Sequence, residues 1–242
     1  MEPVKELIQI ENLQVEIWRR SYQRSLNLRV HQNGLVRVTC GQRVARREVE
    51  RFVRESSEFI VKRQREIARR RELHPEKKFQ SGETFLLFGE SVSLEVIWTW
   101  TKKPRLSWQD GRLEMTAPLA GSCEDRRKAF REYLRKLARP HLERRLKHFS
   151  QLTGLKFKKF RVSGARSRWG SCSTKGTIGL NWKLMAAPHW VIDYVIIHEL
   201  VHTRHFDHSP RFWQLVEEYF PERKTATGWL REHEAELAAQ FA

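Results

Sequence analysis

Apolar and polar residues alternate along the beginning of the chain, with the two-residue period that is typical of β-strands. Apolar side chains recur at every second position within residues 13–17, 26–30 and 36–38. The pair Asn33-Gly34 separates the last two of these segments. Because Asn-Gly between alternating segments is a strong signal for a β-hairpin, the pattern predicts short strands joined by tight turns.

A helical period replaces this alternation between Val44 and Arg71. Apolar residues fall on one side of the predicted helix, whereas the other side carries many arginines and lysines. A basic face of this kind is usually solvated surface, and contact with nucleic acid is the less common explanation. We therefore predict one long helix after the N-terminal strands.

Strand patterns return after this helix in two pairs, the first at residues 84–88 and 92–98 and the second at 105–108 and 112–116. Each pair flanks a short turn that contains glycine, which is the arrangement of a β-hairpin. We therefore predict a mostly antiparallel, β-rich region that extends to about Pro118.

A polar segment at residues 120–125 separates this region from a second half with helical patterns. Ser122 is suited to cap a long basic helix, because a serine side chain can accept a hydrogen bond from the first turn. Pro140 should bend or divide that helix, since proline lacks the backbone N–H. We predict two domains, residues 1–119 and 120–242.

The chain is strongly basic: its 242 residues include 46 Lys and Arg against 29 Asp and Glu, a formal net charge of +17. This charge favours polyanionic partners such as nucleic acid or nucleotides, although a basic protein without such a partner is equally compatible with it. Cys40, Cys123 and Cys172 lie far apart, so neither a disulfide framework nor a thiolate zinc site is indicated. No signal-peptide pattern or membrane-spanning apolar run is evident, so we expect a cytoplasmic protein without a membrane partner.

Three ionisable residues interrupt an otherwise apolar helical segment near residue 200: His198, Glu199 and His202. Burying such groups without partners is costly, which calls for a functional explanation. His198 and His202 are four residues apart, so both imidazoles can bind one metal ion from the same helix face. Glu199 lies beside them as a general base. This is the H-E-x-x-H pattern of zinc hydrolases.

A catalytic zinc ion takes three protein ligands and keeps one position open. His208 is the favoured third ligand, because the chain can turn back after His202 and a new helix is predicted to begin directly after it, at Ser209-Pro210. The alternatives are three side chains on either side of that point: His205, Glu217 and Glu218.

The wider sequence resembles the YgjP-like metallopeptidase family and, more distantly, the SprT-like zinc proteases. The resemblance rests on RSRWGSCS, on the G-x-I-x-L-N stretch from Gly176, on APHWVIDYVIIHELVH and on DHSPRFW, and it spans most of the chain. It implies an α+β fold with a zincin-like domain, in which an active-site helix lies beside a small sheet. It also implies that the sheet edge, at Thr177–Leu180, can pair with an extended peptide.

These features predict a zinc metallopeptidase with one Zn²⁺ per chain, in which Glu199 acts as general base on a zinc-bound water. One alternative is a metal-dependent nucleoside triphosphate pyrophosphatase, which the positive charge would suit. Another is a non-enzymatic nucleic-acid-binding protein with a structural metal, but such a site normally has four protein ligands and needs no base. Residues that could contact substrate, stabilise an oxyanion or brace the site are Arg166, Arg168, Trp169, Asn181 and Tyr194.

Overall fold

The computed structural model describes residues 4–31, 33–165 and 168–241. It divides the chain into two compact units, residues 1–75 and 76–242. Each unit has its own core of buried apolar side chains. Within the described part of the chain, no helix is long and apolar enough to cross a lipid bilayer.

The first unit contains a four-stranded sheet in the order β1-β2-β4-β3, in which the central pair is parallel and the outer pairs are antiparallel. The hairpin predicted at Asn33-Gly34 is confirmed, with Gly34 at a φ of 83°. The alternating residues of the central strands are fully buried, which explains the period of the sequence. The elements are β1 (Val4–Ile10), β2 (Leu13–Arg20), β3 (Asn27–Val30), β4 (Val36–Gly41), α1 (Arg46–Glu55) and α2 (Ser57–Leu73).

The helix expected between Val44 and Arg71 is thus two consecutive helices that meet at Ser56. Ser56 has a φ of −92° and a ψ of 6°, outside helical geometry, and its backbone N–H donates to the carbonyl of Phe52. Serine is a weak helix former because its hydroxyl competes for backbone hydrogen bonds. A single serine is only a weak signal for a helix break, so the sequence pattern does not predict that the helix is interrupted at Ser56.

The second unit begins with another four-stranded sheet, in the order β5-β6-β8-β7. Both predicted hairpins are confirmed, and β6 and β8 pair in parallel between them. The strands pack into the same core as the helices that follow, which is why this unit begins at residue 76 and not near the expected boundary at 119. Their bounds are β5 (Thr84–Leu87), β6 (Glu90–Thr99), β7 (Arg105–Gln109) and β8 (Arg112–Pro118).

A single long helix, α3 (Cys123–Thr153), follows these strands. Ser122 caps it as predicted, in a capping box with Asp125. Pro140 does not divide it, because the buried face continues on both sides of the proline, from Leu134 to Leu146. Tertiary packing compensates for the hydrogen bond that the proline removes.

A three-stranded sheet comes next, formed by β9 (Lys159–Ser163), β10 (Gly170–Cys172) and β11 (Thr177–Asn181). Its order is β10-β11-β9, so the expectation that Thr177–Leu180 forms the sheet edge is wrong. β11 pairs on both sides, antiparallel to β10 and parallel to β9. β10 and β9 are therefore the two edge strands, and a tight turn before Thr177 joins β10 to β11.

The chain ends in a short 3-10 helix (Trp182–Ala186) and four α-helices. α4 contacts α3, β10, β11, α5 and α6, and nearly all of its residues are buried. Arg145 of α3 donates to the carboxylate of Asp193 on α4, which ties the two helices together. The four are α4 (His189–Val201), α5 (Pro210–Tyr219), α6 (Arg223–Glu232) and α7 (Glu234–Gln240).

Candidate metal centre and active site

Three imidazole rings converge at the end of α4. The candidate ligand atoms of His198, His202 and His208 all lie within 4.8 Å of one another. Nε2 of His198 lies 3.3 Å from Nε2 of His208, which comes from the loop directly before α5. Among the residues that the structure describes, no other group of three or more histidines, cysteines or carboxylates converges in this way.

The fully buried ring of Phe212, on α5, supports all three histidines. Its centroid lies 4.9 Å from that of His198, 4.5 Å from that of His202 and 4.8 Å from that of His208. Nδ1 of His202 lies 3.0 Å from the backbone oxygen of His205. This contact favours the tautomer in which Nδ1 carries the proton, so Nε2 of His202 is free to bind a metal.

Burial keeps His198 and His202 in the neutral form that a metal needs. It lowers the pKa of His198 to about 3, and the neighbouring His202 and His208 act in the same direction. Burial also lowers the pKa of His202. Neutral imidazoles offer a lone pair to a cation, so this arrangement fits a divalent metal with nitrogen preference, such as zinc.

Glu199 is 5% exposed and lies beside the three histidines. Its Oε2 has no hydrogen-bond partner within the described part of the chain. Burial raises the pKa of Glu199 to about 8, and Arg168 opposes that rise. A buried carboxyl group without a partner is costly, which is typical of a group that is retained for chemistry.

Gly170, on the edge strand β10, lies directly against Glu199. A Cβ at position 170 would lie 2.3 Å from Oε1 of Glu199 and 2.5 Å from its Cγ, closer than atoms can approach. Only glycine therefore lets the strand and the carboxylate occupy these positions. Neither Gly170 nor Phe212 was singled out from the sequence, although a glycine within a strand pattern often marks such a close approach.

The alternative third ligands lie outside the histidine cluster. Glu217 forms an ion pair with Arg223, with Nε and Oε1 2.7 Å apart. Glu218 is exposed on α5. His205 faces the site through its backbone carbonyl, as described above, so its contribution is to orient His202.

A cleft of about 470 Å³ opens beside the histidines and Glu199. The edge strand β10 forms one wall, with Gly170 and Ser171 among the lining residues. The lining of the cleft also includes the largely apolar side chains of Tyr194, Val195, Phe206 and Leu230.

Three of the five further candidate residues line this cleft: Arg168, Trp169 and Tyr194. Asn181 does not, because its buried side-chain amide donates to the backbone oxygens of Ala165 and Arg168, each at 2.8 Å. Asn181 therefore braces the loop that leads into β10. Arg166 lies outside the described residues.

Comparison with known proteins identifies the family of the chain. Residues 24–233 match the model of a family described as the YgjP-like metallopeptidase domain. A similar solved structure, the metallopeptidase zymogen abylysin of Pyrococcus abyssi, is 27% identical over 42% of this chain and 99% of that chain, with a TM-score of 0.35. A search of curated proteins gives no match. Because the family model spans most of the chain, the protein belongs to the YgjP-like family of metal-dependent peptidases.

Proposed function

We propose that this protein is a zinc-dependent peptidase in which Glu199 is the general base. One observation carries the proposal: three imidazoles converge on one point, and a buried carboxyl group with a free oxygen lies beside them. A structural site would close with a fourth protein ligand and would not need that carboxyl group. This consideration disfavours a non-enzymatic protein with a structural metal.

His198, His202 and His208 would hold one zinc ion per chain. A bound zinc ion supplies Lewis acidity and lowers the pKa of a coordinated water. Three nitrogen ligands are the usual number for a catalytic zinc site, which keeps one position open.

Glu199 would take the proton from the attacking water and deliver it to the leaving amine of the peptide. Its free Oε2 can accept that proton, and burial holds its pKa high enough to retain it during the reaction. Gly170 keeps the carboxylate in position, since any larger residue would displace it.

Arg168 is the best placed of the sequence candidates to stabilise negative charge on the peptide oxygen. Its side chain is exposed, it lines the cleft, and it forms no ion pair with the residues that the structure describes. Tyr194 is less suited because its hydroxyl is already hydrogen-bonded to Thr227. A positioned donor of this kind typically contributes a large part of the rate enhancement.

The substrate would be a peptide or an unfolded protein segment that extends along β10. β10 is paired only with β11, so its other side offers backbone hydrogen bonds to an added strand. Family membership also favours a peptide substrate over a nucleotide. The main argument for a nucleotide is the net charge of +17. A cytoplasmic location stays a prediction from the sequence.

Metal removal tests this function. We expect chelator-treated protein to lose cleavage of a pool of unstructured peptides and to regain it with one equivalent of Zn²⁺, measured by mass spectrometry. Nucleoside triphosphates assayed in parallel should release no diphosphate. Release of diphosphate without cleavage of any peptide would contradict the proposed peptidase activity and would support the alternative, a nucleoside triphosphate pyrophosphatase.

A further inference from the structure

Three residues form a row across one face of the three-stranded sheet. Ser171 on β10 is in register with Gly179 on β11, and Gly179 is in register with Arg161 on β9. Side chains of residues in register point to the same face of a sheet. The neighbouring residues Ile178 and Leu180 are buried on the opposite face, against the main core.

Gly179 leaves the space in which Arg161 lies. A Cβ at position 179 would be 3.2 Å from Nε of Arg161 and 2.9 Å from Oγ of Ser171. The guanidinium group and the hydroxyl therefore approach each other above the glycine. Ser171 is among the residues that border the cleft, so this row extends from the rim of the cleft to Arg161 on the far strand, on the face of the sheet opposite to the one that contacts Glu199.

Arg161 carries an uncompensated charge. It is exposed, and none of the ion pairs within the described residues includes it. Other arginines of the same unit are paired, for example Arg127 with Glu124 and Arg223 with Glu217. Lys159 lies two residues before Arg161 in the same strand and is also exposed. The face beside the cleft is therefore positive.

We propose that Arg161, held across Gly179 beside Ser171, selects peptides with an acidic side chain next to the scissile bond. The inference rests on the proposed function, in which the peptide pairs with β10. Side chains of the added strand would alternate between the face of the sheet that contacts Glu199 and the opposite face, and those on the opposite face would meet Ser171 and Arg161. A guanidinium group binds a carboxylate through two parallel hydrogen bonds.

The position of the selected side chain follows from the neighbours of Ser171. Gly170, one residue earlier, contacts the base Glu199. Adjacent residues of a strand are about 3.3 Å apart. The acidic residue would therefore lie within about two residues of the bond that is cut.

The test uses paired peptides with amidated C-termini, in which each Glu-containing peptide has a counterpart with Gln at the same position. Amidation removes the terminal carboxylate, so a preference can come only from the side chain. We expect the zinc-loaded protein to cleave the Glu member with a kcat/KM about three-fold to ten-fold higher. The same pairs are titrated into the inactive E199Q variant, and the Glu member should bind more tightly by a similar factor.

Substitutions test whether Arg161 causes the preference. R161Q should bring the Glu-to-Gln ratio to about one, and R161K should keep part of it because lysine retains the charge without the planar fork. G179A should also lower the ratio, since the added methyl group displaces Arg161 without removing it. R139Q is the matched control: Arg139 is exposed on α3 and does not line the cleft, so the ratio should stay as in the unmodified protein.

Equal cleavage of both members by the unmodified protein would overturn the inference and leave the proposed function intact. A preference that persists in R161Q would overturn it as well. Failure to cleave any peptide would count against the proposed function. In that case the binding titration still decides the inference, because equal affinities for the Glu and Gln members would overturn it.

Discussion

At the scale of residues, the site depends on close packing around the ionisable side chains as well as on the chemistry of those side chains. Nδ1 of His198 and Oε2 of Glu199 are both buried without a hydrogen-bond partner among the described residues. Leaving such atoms unsatisfied costs about 1–3 kcal/mol each. Gly170 leaves the space that the carboxylate of Glu199 occupies, because a Cβ at this position would clash with it. The histidines and Glu199 could be predicted from spacing, whereas the role of Gly170 could not, because it depends on a contact between distant segments.

Substitution of Gly170 tests that contact. We expect G170A to bind one zinc ion but to lose about 100-fold in kcat, because a displacement of about 1 Å of a catalytic group has this effect. Zinc content and steady-state kinetics on one peptide give both values. G228A is the control, since a methyl group on Gly228 meets open space on α6 and should change neither quantity. Full activity of G170A would show that the contact does not position the base.

At the scale of elements, the sequence predicts where a helix begins, because that depends on neighbouring residues. It does not predict which strands pair when they are distant along the chain. The start of α5 at Pro210, with Ser209 at the N-cap position, is confirmed, although the side chain of Ser209 makes no capping hydrogen bond. The central place of β11 was not foreseen, because its pairing with β9 joins segments that are separated along the chain. The alternation of apolar and polar residues in a strand does not specify which strands pair with it on either side.

The contact between α3 and α4 contains a stack of rings with a consequence for stability. The ring of Phe88 lies 4.8 Å from that of His141 on α3 and 4.7 Å from that of His189 on α4. Burial lowers the pKa of His141 to about 4, with further lowering by His189, Arg144 and Arg145. Burial in the stack therefore favours the neutral form of His141.

Acid should therefore destabilise the folded protein through His141. Between pH 6.5, the ordinary pKa of histidine, and pH about 4, the unfolded chain binds the proton more tightly, so the free energy of unfolding falls as pH falls. We expect a loss of about 1–2 kcal/mol over this window, after allowance for the partial exposure of the ring. Urea unfolding of chelator-treated protein at several pH values measures it without a contribution from metal binding.

The variant H141F should show a smaller loss over the same window, because phenylalanine keeps the stack and cannot take up a proton. H148Q removes an exposed histidine from the same helix and serves as the control. Identical pH profiles for H141F and the unmodified protein would contradict this account of the stack.

For the whole molecule, the sequence predicted the α+β class and the family, and the structure and the family match confirm both. The division of the chain was harder to predict. The pattern of strands and helices predicts a boundary after the second set of hairpins, whereas those strands share the core of the second unit. Which elements share a core depends on packing between faces, which periodicity alone does not specify.

The central claim is that one carboxyl group activates water beside a metal held by three histidines, and the variant E199Q tests it most directly. Zinc content and peptide cleavage are measured on the same purified sample, beside the unmodified protein. The account predicts one zinc ion per chain in both proteins and a loss of about 1,000-fold in kcat for E199Q, since the amide cannot accept the proton. Cleavage by E199Q at the rate of the unmodified protein, with zinc bound, would contradict it.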